Sequence, residues 1–305
     1  MRFINKTIFV CFIGVSSYLA QDMLQPFMSD QQFGYKNDNG EIIIEPKFDY
    51  AGVFSNSRAV FAKFQRNYSK YGFINENGDT LIKPEYYGAG NFSEGLARVK
   101  VGKFNFFGKY YSWGFIDTSG KMLIQPQFEG TADFHEGLAY FKQTESWLLF
   151  FTREPKYGFI DKSGEIIIKP KFDHVGNFSE GVAPVRIGKK RGYINKIGKM
   201  VIPLKFDYAS CYSDSVALVR LNNSYGYINK NGEFIIEPKF EEARNFSEGM
   251  AMIRVGNKWG YINKSGETII EPKYENCSNF QNGYAEVYLD GTFYTIDKQG
   301  NTIQR

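Results

Sequence analysis

Histidine and cysteine are scarce in this chain, with two of the first and three of the second in 305 residues. A zinc centre built on Cys and His, a disulfide-stapled scaffold and a Cys–His catalytic pair therefore have few residues to draw on. No apolar run reaches the roughly 18 residues of a membrane-spanning helix. Glycine-rich phosphate loops, paired-cysteine motifs and nucleophile elbows are missing as well. The formal charge is only +4 and no basic segment stands out, which argues against nucleic acid as a partner. Proline is sparse, at ten residues, and no long stretch has helical periodicity.

Aromatic residues and glycine are plentiful, at 17% and 31 residues. That balance suits many short strands joined by glycine turns and excludes a disordered chain. The glycines recur with a period. An aromatic–Gly–aromatic–Ile segment returns as Phe33-Gly-Tyr, Tyr71-Gly-Phe-Ile, Trp113-Gly-Phe-Ile, Tyr157-Gly-Phe-Ile, Arg191-Gly-Tyr-Ile, Tyr225-Gly-Tyr-Ile, Trp259-Gly-Tyr-Ile and a degenerate Phe293-Tyr-Thr-Ile. From Gly158 through Gly192 and Gly226 to Gly260 every step is 34 residues, whereas the earlier steps are 38, 42 and 44. A period of this size means a repeat architecture of eight copies.

Each copy reads as three strands. The signature segment is a short strand closed by a turn with Asn or Asp first and Gly fourth, as in Asn263-Lys-Ser-Gly266. An apolar run such as Ile166-Ile-Ile168 follows, and its continuity predicts cover on both faces. Proline stops that run in seven copies, six residues after the turn glycine except at Pro203, which comes one place early. A connection of the type Asn245-Phe-Ser-Glu-Gly249 then carries an aromatic anchor, and a third strand alternates apolar residues, as in Ala217, Val219 and Leu221. The expected fold is all-β, a tandem array of about eight three-stranded antiparallel meanders over residues 33–305. An open β-solenoid is favoured over a closed β-propeller, because the first copy lacks its leading third-type strand while the last holds all three.

The residues before the array divide into a signal peptide at 1–20 and a leader at 21–32. Arg2 and Lys6 precede an apolar run from Ile8 to Ala20, the layout of a secretory signal. Its removal lowers the formal charge to +2 and leaves Cys211 and Cys277. Export to the periplasm, cell surface or medium is expected, with no membrane span in the mature chain.

Lys258-Trp-Gly-Tyr-Ile-Asn-Lys-Ser-Gly266, together with the recurring turn glycine, proline and Phe-Ser-Glu-Gly, resembles the WG-repeat family of bacterial proteins, also described through its Lys-Trp-Gly form. Trp itself holds the signature position only at Trp113 and Trp259. The resemblance implies a β-rich interaction module and brings no catalytic residue.

Candidate functional residues are those that break the period. Extra residues fall in one hairpin of successive copies, at Lys63–Lys70, Gly102–Ser112 and Gln143–Lys156. Phe104, Phe106, Phe107, Tyr110 and Tyr111 in the second, with Trp147, Leu148, Leu149, Phe150 and Phe151 in the third, form either a partner-binding ridge or a satellite core. A cation follows the middle apolar residue of the third strand at Lys100, Lys142, Arg186, Arg220 and Arg254, which reads as a row facing an acidic partner or as a solvated face. Glu94, Glu136, Glu180 and Glu248 recur with the period and suggest a structural duty. His135 lies between Asp133 and Glu136 and His174 follows Asp173, more in keeping with loop variants than with a metal site. The expected function is an exported, monomeric, non-enzymatic scaffold that binds a protein at the bacterial cell envelope without cofactor or metal. The alternative is a module for carbohydrate or cell-wall glycan, with Trp147, Tyr110 and Tyr111 stacking on sugar rings.

Overall fold

The computed structural model describes residues 24–65, 68–105, 108–144, 146–148, 151–152 and 154–303. The signal-peptide segment 1–20 lies outside them. The described residues form two compact units, one of residues 24–177 with Lys196–Gly198 and the other of Phe178–Asn195 with residues 199–303. Each unit is a succession of small antiparallel sheets, and no helix occurs among the described residues.

One sheet shows the plan. Gly88–Ala89, Leu96–Asn105, Gly108–Asp117 and Met122–Phe128 pair in that order, as a short, a leading, a signature and an apolar strand. The short strand lies in the connection that the sequence reads as a crossing loop. Two residues such as Ala243 and Glu242 are too few to show an alternation, but they pair with Ile253 and Arg254 and widen the sheet to four strands. The first sheet gains a strand too. Gln25–Ser29, within the supposed leader, pairs along Gln32–Lys36 and supplies the leading strand that the first copy seemed to lack.

Sequence copy and sheet are out of phase. A copy that starts at Trp259 contributes Trp259 to one sheet and Tyr284–Leu289 to the next. Every four-stranded sheet thus joins strands from two successive copies, so neighbours are tied by main-chain hydrogen bonds as well as by packing.

The signature glycine follows from a bulge. Register shifts between Trp259 and Tyr261 opposite the apolar strand, and a Cβ on Gly260 would sit 2.4 Å from the Ile270 carbonyl oxygen and 2.6 Å from the Pro272 nitrogen. Glycine alone admits that approach. Pro272 suits the same spot because it has no N–H to place in the ladder.

The apolar run is not covered on both faces. Ile166 and Ile167 remain 47% and 39% exposed while Ile168 is buried, and the same order holds at Ile42, Ile43 and Ile44. The reason is position, since this strand forms the outer edge of its sheet and only its third residue reaches the neighbour. Proline and lysine, as in Pro170 and Lys171, guard the edge against further pairing.

The core lies between consecutive sheets of a unit. Val60, Phe73 and Ile82 of one sheet pack with Phe92, Ala97, Val99 and Ile116 around the next, and Met252, Tyr261 and Ile270 pack likewise with Phe280, Ala285 and Val287. The buried Tyr261 hydroxyl donates to the Ser278 carbonyl at 2.8 Å, and Tyr227 donates to Arg244 at 2.7 Å. Phe73, Phe115 and Phe159 hold the same slot in the first unit without a hydroxyl. The last copy turns polar at these slots. Thr295 stands in the place of Tyr261 and Glu286 in that of Met252, which gives the outer face of the final sheet a capping character.

Candidate interaction surface

The turn carboxylates have structural work. Glu94 and Gly95 both take positive φ, 53° and 86°, between the bridged Ser93 and Leu96, as a two-residue hairpin with the twist of its strands requires. The Glu94 carboxylate accepts from the Gly137 N–H at 3.0 Å in the next copy and pairs with Lys162 at 2.9 Å. Glu248 repeats this with the N–H groups of Asn282 and Gly283 and with Lys298. Burial works against ionisation here, yet these bonds hold Glu94, Glu180 and Glu248 below the usual carboxylate range. Ser93 and Ser247 add hydroxyl bonds to the Phe134 and Phe280 carbonyls, so each turn clips the one that follows.

His135 takes the serine place in this series, and burial lowers its pKa against the pull of Asp133, Glu94 and Glu136. Among the described residues no group of three or more His, Cys, Asp and Glu side chains gathers to hold a metal ion. Cys211 and Cys277 form no disulfide, and burial pushes the Cys277 thiol up to about 11, away from the thiolate that a nucleophile needs.

A second carboxylate clip lies at the hairpin between leading and signature strands. Asp207 accepts from the Asn222 N–H at 3.1 Å and pairs with Lys190, and Glu275 accepts from the Asp290 N–H at 3.1 Å and pairs with Lys258. Asp49 and Glu129 do the same for Phe64 and Thr144, each at 2.7 Å. In the copy between these two the slot holds Tyr87.

The exchange coincides with an aromatic cluster. The Tyr87 ring lies 5.9 Å from Tyr68 and 5.0 Å from Tyr111, edge to face with the latter. Lys70 Nζ stands 3.5 Å from the Tyr87 centroid, and Lys100 Nζ stands 5.1 Å from that of Tyr111. Tyr68, Tyr110 and Tyr111 are 46%, 41% and 40% exposed. Two elongated hairpins, between Ala59–Gln65 and Tyr68–Ile74 and between Leu96–Asn105 and Gly108–Asp117, bring Tyr68 and Tyr111 to Tyr87.

Of the residues singled out from sequence, Tyr111 therefore lies in this cluster, while Tyr110, its neighbour along the strand, is exposed on the opposite face. Phe104, Trp147, Leu148 and Phe151 are placed by their strands alone, the last three in the small pair Ser146–Leu148 with Phe151–Thr152. Phe106, Phe107, Leu149 and Phe150 lie outside the described residues. Tyr68, Tyr87 and Lys70 were missed, though the loss of an acid at position 87 was a readable signal. Each cation of the periodic set faces the signature position of its own sheet, with Lys100 opposite Trp113, Lys142 opposite Tyr157, Arg186 opposite Arg191, Arg220 opposite Tyr225 and Arg254 opposite Trp259.

The model of the WG containing repeat matches residues 33–64, 71–110, 113–147, 157–190, 192–225, 225–259 and 259–293. The chain belongs to the WG-containing repeat family. Those matches run across almost the whole array, and the WG signature falls on the bulged strand described above. No curated protein matches the chain. Among solved structures it is similar to prolyl oligopeptidase B from Galerina marginata bound to a 25mer macrocyclization substrate, at 13% identity and a TM-score of 0.48, over 84% of this chain and 49% of that one. It is also similar to Pyrococcus horikoshii acylaminoacyl peptidase, at 10% identity and a TM-score of 0.45, over 87% and 54%. A quinonprotein alcohol dehydrogenase-like protein from Bacteroides thetaiotaomicron matches at 8% identity and a TM-score of 0.37, over 92% and 74%. The WG-repeat chain spans about half the length of the two peptidases.

Proposed function

We propose that this WG-repeat chain is an exported, non-enzymatic scaffold that binds a protein partner at the cell envelope through Tyr68, Tyr87 and Tyr111 with Lys70 and Lys100. The observation that carries the reading is the exposed tyrosine cluster at the one copy where a structural acid gives way to Tyr87. Tyrosines with large apolar faces and polar tips are enriched in protein interfaces. The lysines favour protein over glycan. Lys70 and Lys100 lie over the rings of Tyr87 and Tyr111, where a sugar would stack, and bring two positive charges to the surface for an acid-bearing protein partner. The basic and apolar start of the sequence supports export, and the engagement of the periodic carboxylates in turn clips supports a role without catalysis.

The test is capture of partners from an envelope extract by the purified protein and by a Tyr68→Ala/Tyr111→Ala variant, beside a glycan array. Capture that falls at least tenfold in the variant supports the reading. Unchanged capture, or array binding that the variant abolishes, overturns it.

A further inference from the structure

The fifth signature position is the one at which a cation, Arg191, replaces the aromatic residue. Arg186 stands directly across from it, and burial lowers the Arg191 pKa with Arg186 and Arg220 adding to the effect, so the three charges lie within reach of one another. The guanidinium of Arg191 lies 5.2 Å from the centroid of Tyr208, which is 6.1 Å from Tyr225, and that of Arg220 lies 5.8 Å from Tyr225. Tyr208 also pairs in register with Arg220. These rings hold Arg191 and Arg220 in place.

No carboxylate among the described residues is ion-paired with any of the three. Asp207, the acid near Arg220, is engaged by Lys190 at 2.6 Å and by the Asn222 N–H. The buried Nε of each arginine lacks a hydrogen-bond partner. Arg254, one copy further on, shares the buried Nε, but its terminal nitrogen meets Glu242 at 2.7 Å, and Tyr208 occupies the slot of that acid beside Arg220. Three half-buried guanidiniums with neither acid nor solvent around most of their surface need an anion to balance them.

We propose that Arg186, Arg191 and Arg220 form a binding site for a tetrahedral oxyanion, a phosphate or sulfate group. The flat fork of arginine places paired N–H donors against the oxygens of such a group, and several cations match its double charge. The site belongs to the second unit and does not depend on the tyrosine surface.

Calorimetric titration of the purified protein with inorganic phosphate and with sulfate, at constant ionic strength, tests the site. One saturable event is expected, weakened at least about tenfold in Arg191→Tyr and in Arg186→Gln, because a charge-assisted bond is worth roughly that factor or more. Arg254→Gln serves as a control that stays within twofold. Arg191→Tyr restores the residue type of Tyr157 and Tyr225, and a phosphate-dependent rise in Tm that it loses while remaining folded adds a second readout. Should that variant fail to fold, Arg186→Gln decides. Tighter binding of phenyl phosphate than of the free ion assigns the group to an ester, and equal binding assigns it to the ion; both uphold the site. Lack of saturation, or affinity unmoved in Arg186→Gln, overturns it.

Discussion

The two units share a scaffold and differ at one hairpin. In the second unit the leading and signature strands are joined by minimal turns, such as Asn222-Asn223 with φ of 51° and 66°, and an acid clips them. In the first unit three of the corresponding hairpins lengthen, one clip becomes Tyr87, and exposed tyrosines gather beside it. Where the period is strict, the recurring glycines, prolines and turn acids are accounted for by a strand, a turn or a clip, and Arg186, Arg191 and Arg220 stand out against them. The variation accumulates at the position that the sheet does not need.

That contrast can be broken by experiment. The largest effect is expected for the bulge glycine and should be equal in the two units: Gly114→Ala and Gly260→Ala each place a Cβ 2.4 Å from a carbonyl oxygen and should cost about 2–4 kcal/mol in urea unfolding. A loss confined to one unit would show that the scaffolds differ after all. Next comes replacement of residues 102–111 by the Gly-Asn turn of 256–257, which should change stability by less than about 1 kcal/mol while partner capture falls at least tenfold. Unfolding on this exchange would make the hairpin part of the core. A smaller effect is expected at the core tyrosine, since Tyr261→Phe removes a hydroxyl bond at a cost of about 1 kcal/mol and brings that copy to the state already found at Phe115, whereas Tyr35 in the first unit keeps its bond to the Gly52 carbonyl.

The smallest effect is on acid stability. The Glu94 and Glu248 pKa values are depressed in the folded chain, so their contribution is fully present above the unfolded value of about 4.3 and is lost as pH falls through the folded value. Urea midpoints followed from pH 6 to pH 3 should therefore drop less steeply in Glu94→Gln and in Glu248→Gln than in the parent, and by similar amounts. A difference between the two would mean that the clips are not equivalent.

Much of the fold was legible because its determinants are local. Gly260, Pro272 and the turn from Asn263 to Gly266 each state a backbone need within a few residues. Two-residue strands such as Glu242–Ala243 carry no period of their own, and their pairing depends on the partner strand. The apolar run misled because hydropathy does not tell an edge strand from a central one, as Ile167 and Ile168 show. The candidate surface was legible in half. Tyr68 and Tyr111 stand in insertions that the period exposes, whereas Tyr87 meets them only through the approach of neighbouring sheets.

The phase difference between copy and sheet has a consequence for descent. A duplicated segment of 34 residues arrives without the means to complete a sheet, and must borrow its leading partner from the copy before it. Growth of such a gene is therefore safest in the interior, where both neighbours already supply what the newcomer lacks. Gln25–Ser29, which belongs to no copy, and the polar Glu286 and Thr295 depart from the repeat, so a segment duplicated from beside them would carry the departure along.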